Sequence, residues 1–172
     1  IDIGVHVMSG NMADLVKERE GFKINYSMPK MLEAGLMGRK SKKGFYNYKM
    51  KRGKLRKDQT NNEVYQYFES PTKKFLDDKD ITERAILLLL NEAAWCLEDK
   101  IIQNAQDGDI GGVFGIGFLP WTGGPFSYMN LLGIDKVVDK LNHYADIYGP
   151  KFNPRPLLTE MAKNGKKFDT QC

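Results

Sequence analysis

Asp80-Ile81-Thr82-Glu83-Arg84-Ala85-Ile86-Leu87-Leu88-Leu89-Leu90-Asn91-Glu92-Ala93-Ala94-Trp95-Cys96-Leu97-Glu98-Asp99 sets the fold class of the chain. Asp80 followed by Glu83 has the form of a capping box, an acid before an apolar run and a second acid three residues on. Ile81, Ala85, Leu88 and Trp95 fall on one helical face while Ile86, Leu90, Ala93 and Leu97 fall on another, which leaves little polar surface. The pattern predicts a helix from Asp80 to about Asp99, buried at the centre of an all-α bundle.

Helical punctuation continues downstream. Pro125 opens a helix that Gly133 closes, and Asp135 caps the next, with Ile134, Val137, Val138, Leu141, Ala145 and Tyr148 at helical spacing until Gly149-Pro150. Pro156 starts a last helix through Leu157, Leu158 and Met161, closed by Gly165. Between Gly108 and Gly124 seven glycines are interspersed with Phe114, Ile116, Phe118 and Trp121. Pro120 stands where the third glycine of a Gly-x-Gly-x-x-Gly would be, and no Lys-Ser or Lys-Thr follows, so tight backbone packing explains these glycines better than a nucleotide loop.

Upstream, Ile1, Val5, Met8, Met12, Leu15 and Val16 predict an amphipathic helix over 2–20 with Asp2 as its cap. Ser27 to Gly35 reads as a short helix with Pro29 in its first turn. Phe45, Tyr46 and Tyr48 favour an extended stretch, which Arg52-Gly53-Lys54 turns back as a small hairpin. Residues 58–79 are polar around a Val64-Tyr65-Gln66-Tyr67-Phe68 knot and read as linker with a turn or two of helix.

An internal repeat is legible. Ile1-Asp2-Ile3-Gly4-Val5 echoes Ile134-Asp135-Lys136-Val137-Val138. Pro29, Leu32, Glu33 and Gly35 recur in order as Pro156, Leu157, Glu160 and Gly165, and Gly38-Arg39-Lys40 as Gly165-Lys166-Lys167. The simplest account is two copies of one helical unit: the remainder of a first copy over 1–50, a linker over 51–79 and a second, complete copy over 80–172. The first helix would then lack the partners of its own copy, and its apolar face, through Val5, Met8 and Leu15, points to self-association.

With 172 residues, 41% hydrophobic and 28% charged, and a mean hydropathy of −0.48, the chain has the composition of a globular protein. The apolar run Ala85–Leu90 is far short of the ~20 residues a bilayer span needs. Cys96 and Cys172 supply neither a disulfide framework nor a four-ligand zinc site, and a start at Ile1 without a basic-then-apolar leader reads as a fragment or a processed chain. Ten of the 26 basic residues lie between Arg39 and Lys57 with no acid among them, against 16 basic and 22 acidic residues elsewhere. The net charge of +4 is therefore one basic strip on a mildly acidic chain, not the footprint of a nucleic-acid binder.

Gly38-Arg39-Lys40-Ser41-Lys42-Lys43-Gly44-Phe45-Tyr46, Asn91-Glu92-Ala93 through Glu98, and Asp109 to Phe118 followed by Gly123-Gly124-Pro125-Phe126 resemble the C-terminal helical region of 3-hydroxyacyl-CoA dehydrogenases. The resemblance is to those in the α subunit of the mitochondrial trifunctional protein and of bacterial fatty-acid oxidation complexes. It covers nearly all of the chain except 51–79. It implies a hydratase domain, an NAD-binding Rossmann domain and two tandem helical domains in the intact enzyme. That enzyme would oxidise 3-hydroxyacyl-CoA with NAD, beside a thiolase β subunit, in the mitochondrial matrix or the bacterial cytoplasm. Lys42 stands where the family has glycine, and Glu83-Arg84 where its first copy carries an Asn-Arg with a catalytic role, so the second copy is expected to be structural. NAD would bind outside this chain, which alone is expected to be inactive.

The candidate residues agree. His6 and His143 sit in amphipathic helices without a placeable carboxylate partner, and Cys96 lies in a buried run without a cationic neighbour. No metal-ligand spacing occurs. Met28, Met31, Met37, Trp95, Phe118 and Trp121 suit an acyl channel or plain core packing equally. Arg39, Lys40, Ser41, Lys42 and Lys43 are the candidates for contact with CoA phosphates or a partner, and Gly44, Phe45, Tyr46, Asn91, Glu92, Gly123, Gly124 and Pro125 for structural roles. The alternative reading is a helical binding module that docks its basic strip on an anionic surface.

Overall fold

The computed structural model describes residues 1–9, 12, 19, 21, 26–69 and 76–170. Among them the chain is mostly helical with one two-stranded ribbon, and it divides into two compact units, Ile1–Phe75 and Leu76–Cys172.

In the first unit α1 spans Asp2–Ser9; most of its expected continuation to residue 20 lies outside the described residues. Helix α2, Ser27–Glu33, ends in Gly35 at φ 76°, where the Leu36 amide donates to the Met31 carbonyl at 2.9 Å. Strands β1 (Tyr46–Lys51) and β2 (Lys54–Thr60) pair antiparallel. Their connection is Arg52 (φ 50°) and Gly53 (φ 72°), the two positive values a primed two-residue turn demands. A 3-10 turn over Asn62–Tyr67 then returns Val64 to Met31 and Leu36, with Ile1, Tyr65, Tyr67 and Phe68 packed around them. The expected linker over 51–79 is thus corrected for its described first part: residues 54–67 are folded into the first unit. Their polarity misleads because the ribbon is wet on both faces, with only Leu55 and Asp58 of β2 half-buried.

In the second unit the central helix α3 runs Asp78–Glu98. Its cap is Asp77, whose Oδ1 accepts from the Lys79 amide at 3.4 Å, so Asp80 and Glu83 are not the capping box the sequence suggested. Leu87, Leu90, Asn91 and Ala94, at i, i+3, i+4 and i+7, are its buried stripe, while Ile81 and Leu89 are exposed. The helix is therefore central but not enclosed all round.

Helix α4, Ala105–Ile116, has no counterpart in the sequence reading. Four of its residues are glycines, each about 1 kcal/mol poorer than alanine in a helix. Asn104 starts it by accepting from the Asp107 amide at 2.8 Å, and Gly117 at φ 71° ends it. Helices α5 (Pro125–Leu132), α6 (Ile134–Tyr148) and α7 (Pro156–Lys163) match expectation, except that Gly133, not Asp135, is the N-cap of α6. Phe126 and Met129, Val137 and Leu141, Phe152, and Leu158 close on α3 to form the core. Helix α7 ends as α2 does, with Gly165 at φ 60° and the Lys166 amide donating to Met161 O at 2.9 Å.

Candidate functional site

The glycine-rich motif is a packing device. A Cβ on Gly108 would sit 2.3 Å from Phe126 Cε2, one on Gly112 2.7 Å from Pro125 Cδ, and one on Gly124 2.5 Å from Asp109 Oδ1. Helices α4 and α5 touch through absent side chains. The approach lets Asp109, buried on α4, accept from the Phe126 amide at 2.7 Å, the Ser127 amide at 3.1 Å and the Ser127 hydroxyl at 2.6 Å. Its carboxylate thereby serves the N-terminus of α5, whose own cap position, Gly124, has no side chain to offer. Asp109 was visible as the acid opening the glycine run; that it caps a helix 16 residues away was not.

Asn91 and Glu98 do the same for the chain entering α7. Asn91 Nδ2 donates to Asn153 O at 2.9 Å and its Oδ1 accepts from the Arg155 amide at 3.0 Å. Glu98 accepts from Arg155 Nε and from the Leu157 amide, both at 2.7 Å, and the Arg155 guanidinium lies 3.9 Å from the Trp95 ring centroid. At the other end of α3, the Tyr144 hydroxyl lies 2.9 Å from both Asp80 and Glu83, and Glu83 is also paired with Lys140. The Lys140 hydrogen bond holds the Glu83 carboxyl below its ordinary pKa. Burial, reinforced by the two carboxylates, raises the Tyr144 phenol well above its own.

The second unit also carries two openings. Leu89, Ala93, Cys96, Ile102, Ile116 and Phe118 line an apolar groove of about 260 Å³ with Glu92 among its residues, and Phe114 and Trp121 stand 86% and 79% exposed. A cleft of about 390 Å³ lies over Ile86, Leu87, Tyr128 and Leu132, with Lys79, Glu83 and Lys140 also lining it. His6 and His143 are exposed. Among the described residues no group of three His, Cys, Asp or Glu is placed to hold a metal, and no helix is long and apolar enough to cross a membrane.

In the first unit the motif Gly44-Phe45-Tyr46 seats a turn. A Cβ on Gly44 would meet the Gly38 Cα at 2.7 Å, and the buried Asn61 donates to Gly44 O at 3.0 Å. Ser41 Oγ accepts from the Met37 amide at 2.9 Å and donates to Lys43 O at 2.8 Å. Lys42 takes φ 58°, the left-handed conformation that suits glycine. Of the candidate cations, Lys40 is paired with Asp2, and Lys43 with Glu63 at 2.6 Å. Arg39 instead reaches across to the hairpin, Nη2 donating to Leu55 O at 3.1 Å, and with Tyr48, Leu55, Arg56 and Lys57 it lines a cleft of about 430 Å³. Arg56 and Lys57 are members of the basic strip that lie outside the expected Arg39–Lys43 set. The hairpin register that brings them to Arg39 follows from the Arg52-Gly53 turn.

The helical fold is shared with the dehydrogenase part of multifunctional enzyme 1 from C. elegans: 87% of the chain superposes on 35% of that chain, with a TM-score of 0.50 and 20% identity. No protein-family model matches the chain. Over 98% of its length the chain is 40% identical to the fatty acid oxidation complex subunit alpha of Vibrio vulnificus (strain CMCP6), and over 97% it is 37% identical to the subunit of that name from Idiomarina loihiensis. It is a relative of these α subunits and spans about a quarter of their length, 23% in each case.

Proposed function

We propose that the chain is the C-terminal helical portion of a multifunctional fatty-acid β-oxidation enzyme, where it walls the acyl-CoA site and supplies oligomer contacts. The observation that carries this is the 40% identity over 98% of the chain with a fatty acid oxidation complex α subunit. The intact enzyme oxidises 3-hydroxyacyl-CoA to the 3-ketoacyl-CoA with NAD and also carries an enoyl-CoA hydratase. Its Rossmann and hydratase domains are the chain's nearest partners, with a thiolase β subunit beyond them; the setting is the bacterial cytoplasm or the mitochondrial matrix. Gly108, Gly112 and Gly124 of the glycine run are packed against Phe126, Pro125 and Asp109 and do not form a dinucleotide cradle, which supports a place for NAD in the other domains.

The matching closures of α2 and α7, each with a left-handed glycine four residues after a buried methionine, support the reading of two copies. They pair Met31 with Met161 and Gly35 with Gly165, which sets Pro29 and Pro156 at different helical positions. NADH formation from 3-hydroxyacyl-CoA tests the proposal: none is expected above a boiled control with this chain alone, and turnover is expected with the longer protein that carries it. Turnover by the chain alone, or none by the longer protein, would refute it.

A further inference from the structure

The cations of the basic strip are not equivalent. The register of the hairpin puts Lys49 opposite Arg56 and Lys51 opposite Lys54, like charges face to face, an arrangement that costs stability unless something offsets it. Asp58 offsets part of it, 2.7 Å from Lys49 and 3.6 Å from Lys51, and the Lys49 hydrogen bond pulls its carboxyl below the ordinary range. Lys40 has Asp2 and Lys43 has Glu63. Of the six cations that remain, Lys42, Arg52 and Lys54 do not line the cleft, and the other three meet in one place. Arg39, Arg56 and Lys57 line the 430 Å³ cleft together with Tyr48 and Leu55, and among the described residues no carboxylate lines it.

Two of these cations are positioned without being neutralised. Arg39 has one edge fixed on the Leu55 carbonyl, which orders the guanidinium while leaving N–H donors for a second acceptor. Lys57 is held over the Tyr46 ring, 4.3 Å from its centroid, a contact that keeps the full charge. The half-buried Tyr48 and Leu55 add a wall of ring and aliphatic surface beside the charges. The volume is in the range of small-molecule sites.

We propose that this cleft is a binding site for the phosphate groups of a soluble phosphate ester, with Arg39 and Lys57 as its cations and Tyr48 as its wall. The further step, that the ester is the CoA moiety of an acyl-CoA, rests on the function proposed above; the anion site itself does not. It moves the contact expected at Arg39–Lys43 onto the ribbon and keeps only Arg39 of that set.

Calorimetric titration of the chain at low salt with inorganic pyrophosphate, with CoA and with pantetheine tests it, alongside two charge-matched double variants. Pyrophosphate and CoA are expected to bind, pantetheine is not, and added salt should weaken both complexes. Arg39→Gln/Lys57→Gln should weaken pyrophosphate by about tenfold or more. Lys49→Gln/Lys51→Gln, which removes the same charge beside Asp58, should leave it within about twofold. Equal losses in the two variants, no pyrophosphate binding, or attachment to phosphatidic acid vesicles in place of soluble phosphate would overturn the site while leaving the dehydrogenase reading to its own NADH assay. Pyrophosphate binding with CoA refused would uphold the site and remove its link to acyl-CoA.

Discussion

Tyr144 has one hydroxyl hydrogen and two carboxylates within 2.9 Å, and the pair it serves anchors the first turns of α3 to α6. Tyr144→Phe leaves Asp80 and Glu83 facing the ring without that donor, and a loss of about 1–2 kcal/mol is expected from urea unfolding at neutral pH. The pH dependence has a definite sign. Glu83 is held below its ordinary pKa, so its contribution is present above the ordinary carboxylate range and disappears as pH falls through the lowered folded value. Stability measured from neutral pH downward should therefore fall more steeply in the parent than in Glu83→Gln. Lys42 gives the opposite kind of prediction. Its φ of 58° strains a side chain that glycine would not carry, so Lys42→Gly is expected to be neutral or to raise the melting temperature, unlike glycine at most positions.

At the scale of elements, α4 separates two kinds of glycine on one helix. A Cβ on Gly108 or Gly112 would meet Phe126 or Pro125 at 2.3 or 2.7 Å, whereas one on Gly111 or Gly115 would meet nothing within 4 Å. Gly108→Ala and Gly112→Ala should each cost about 1–3 kcal/mol by overpacking. Gly111→Ala and Gly115→Ala should gain about 0.5–1 kcal/mol from helix propensity. Denaturant midpoints of the four variants check the split, and a uniform sign would contradict it.

The same helix marks the limit of what the sequence disclosed. Helices α5, α6 and α7 were legible because Pro125 and Pro156 open two of them, Gly133 and Gly149 bracket the third, and their apolar residues keep helical spacing. Helix α4 was not, because four glycines lower its helix propensity, and the close approach of α5 that two of them, Gly108 and Gly112, allow is invisible to propensity. The cap of α3 slipped by a turn for a related reason: four acids, Asp77, Asp78, Asp80 and Glu83, crowd its start, and the demands of Tyr144 and Lys140 decide which of them are used elsewhere. The basic strip was plain in the sequence, but which of its cations lack an acid is a matter of strand register.

For the whole molecule, Ile110, Phe114, Ile116 and Trp121 are exposed on or just after α4, large apolar side chains of the kind that association covers. The chain alone is expected to self-associate, its light-scattering mass rising with concentration, and Phe114→Ser is expected to lower that mass; a strictly monomeric parent at high concentration would contradict this.

The proposed function requires this chain to stand in for the quarter of an α subunit that it matches. Replacing that quarter of the Vibrio vulnificus subunit with this chain and following NADH formation from 3-hydroxyacyl-CoA tests that requirement. The chimaera is expected to turn over where the subunit lacking the quarter does not. Full activity of the shortened subunit, or a folded chimaera no more active than it, would overturn the proposed function.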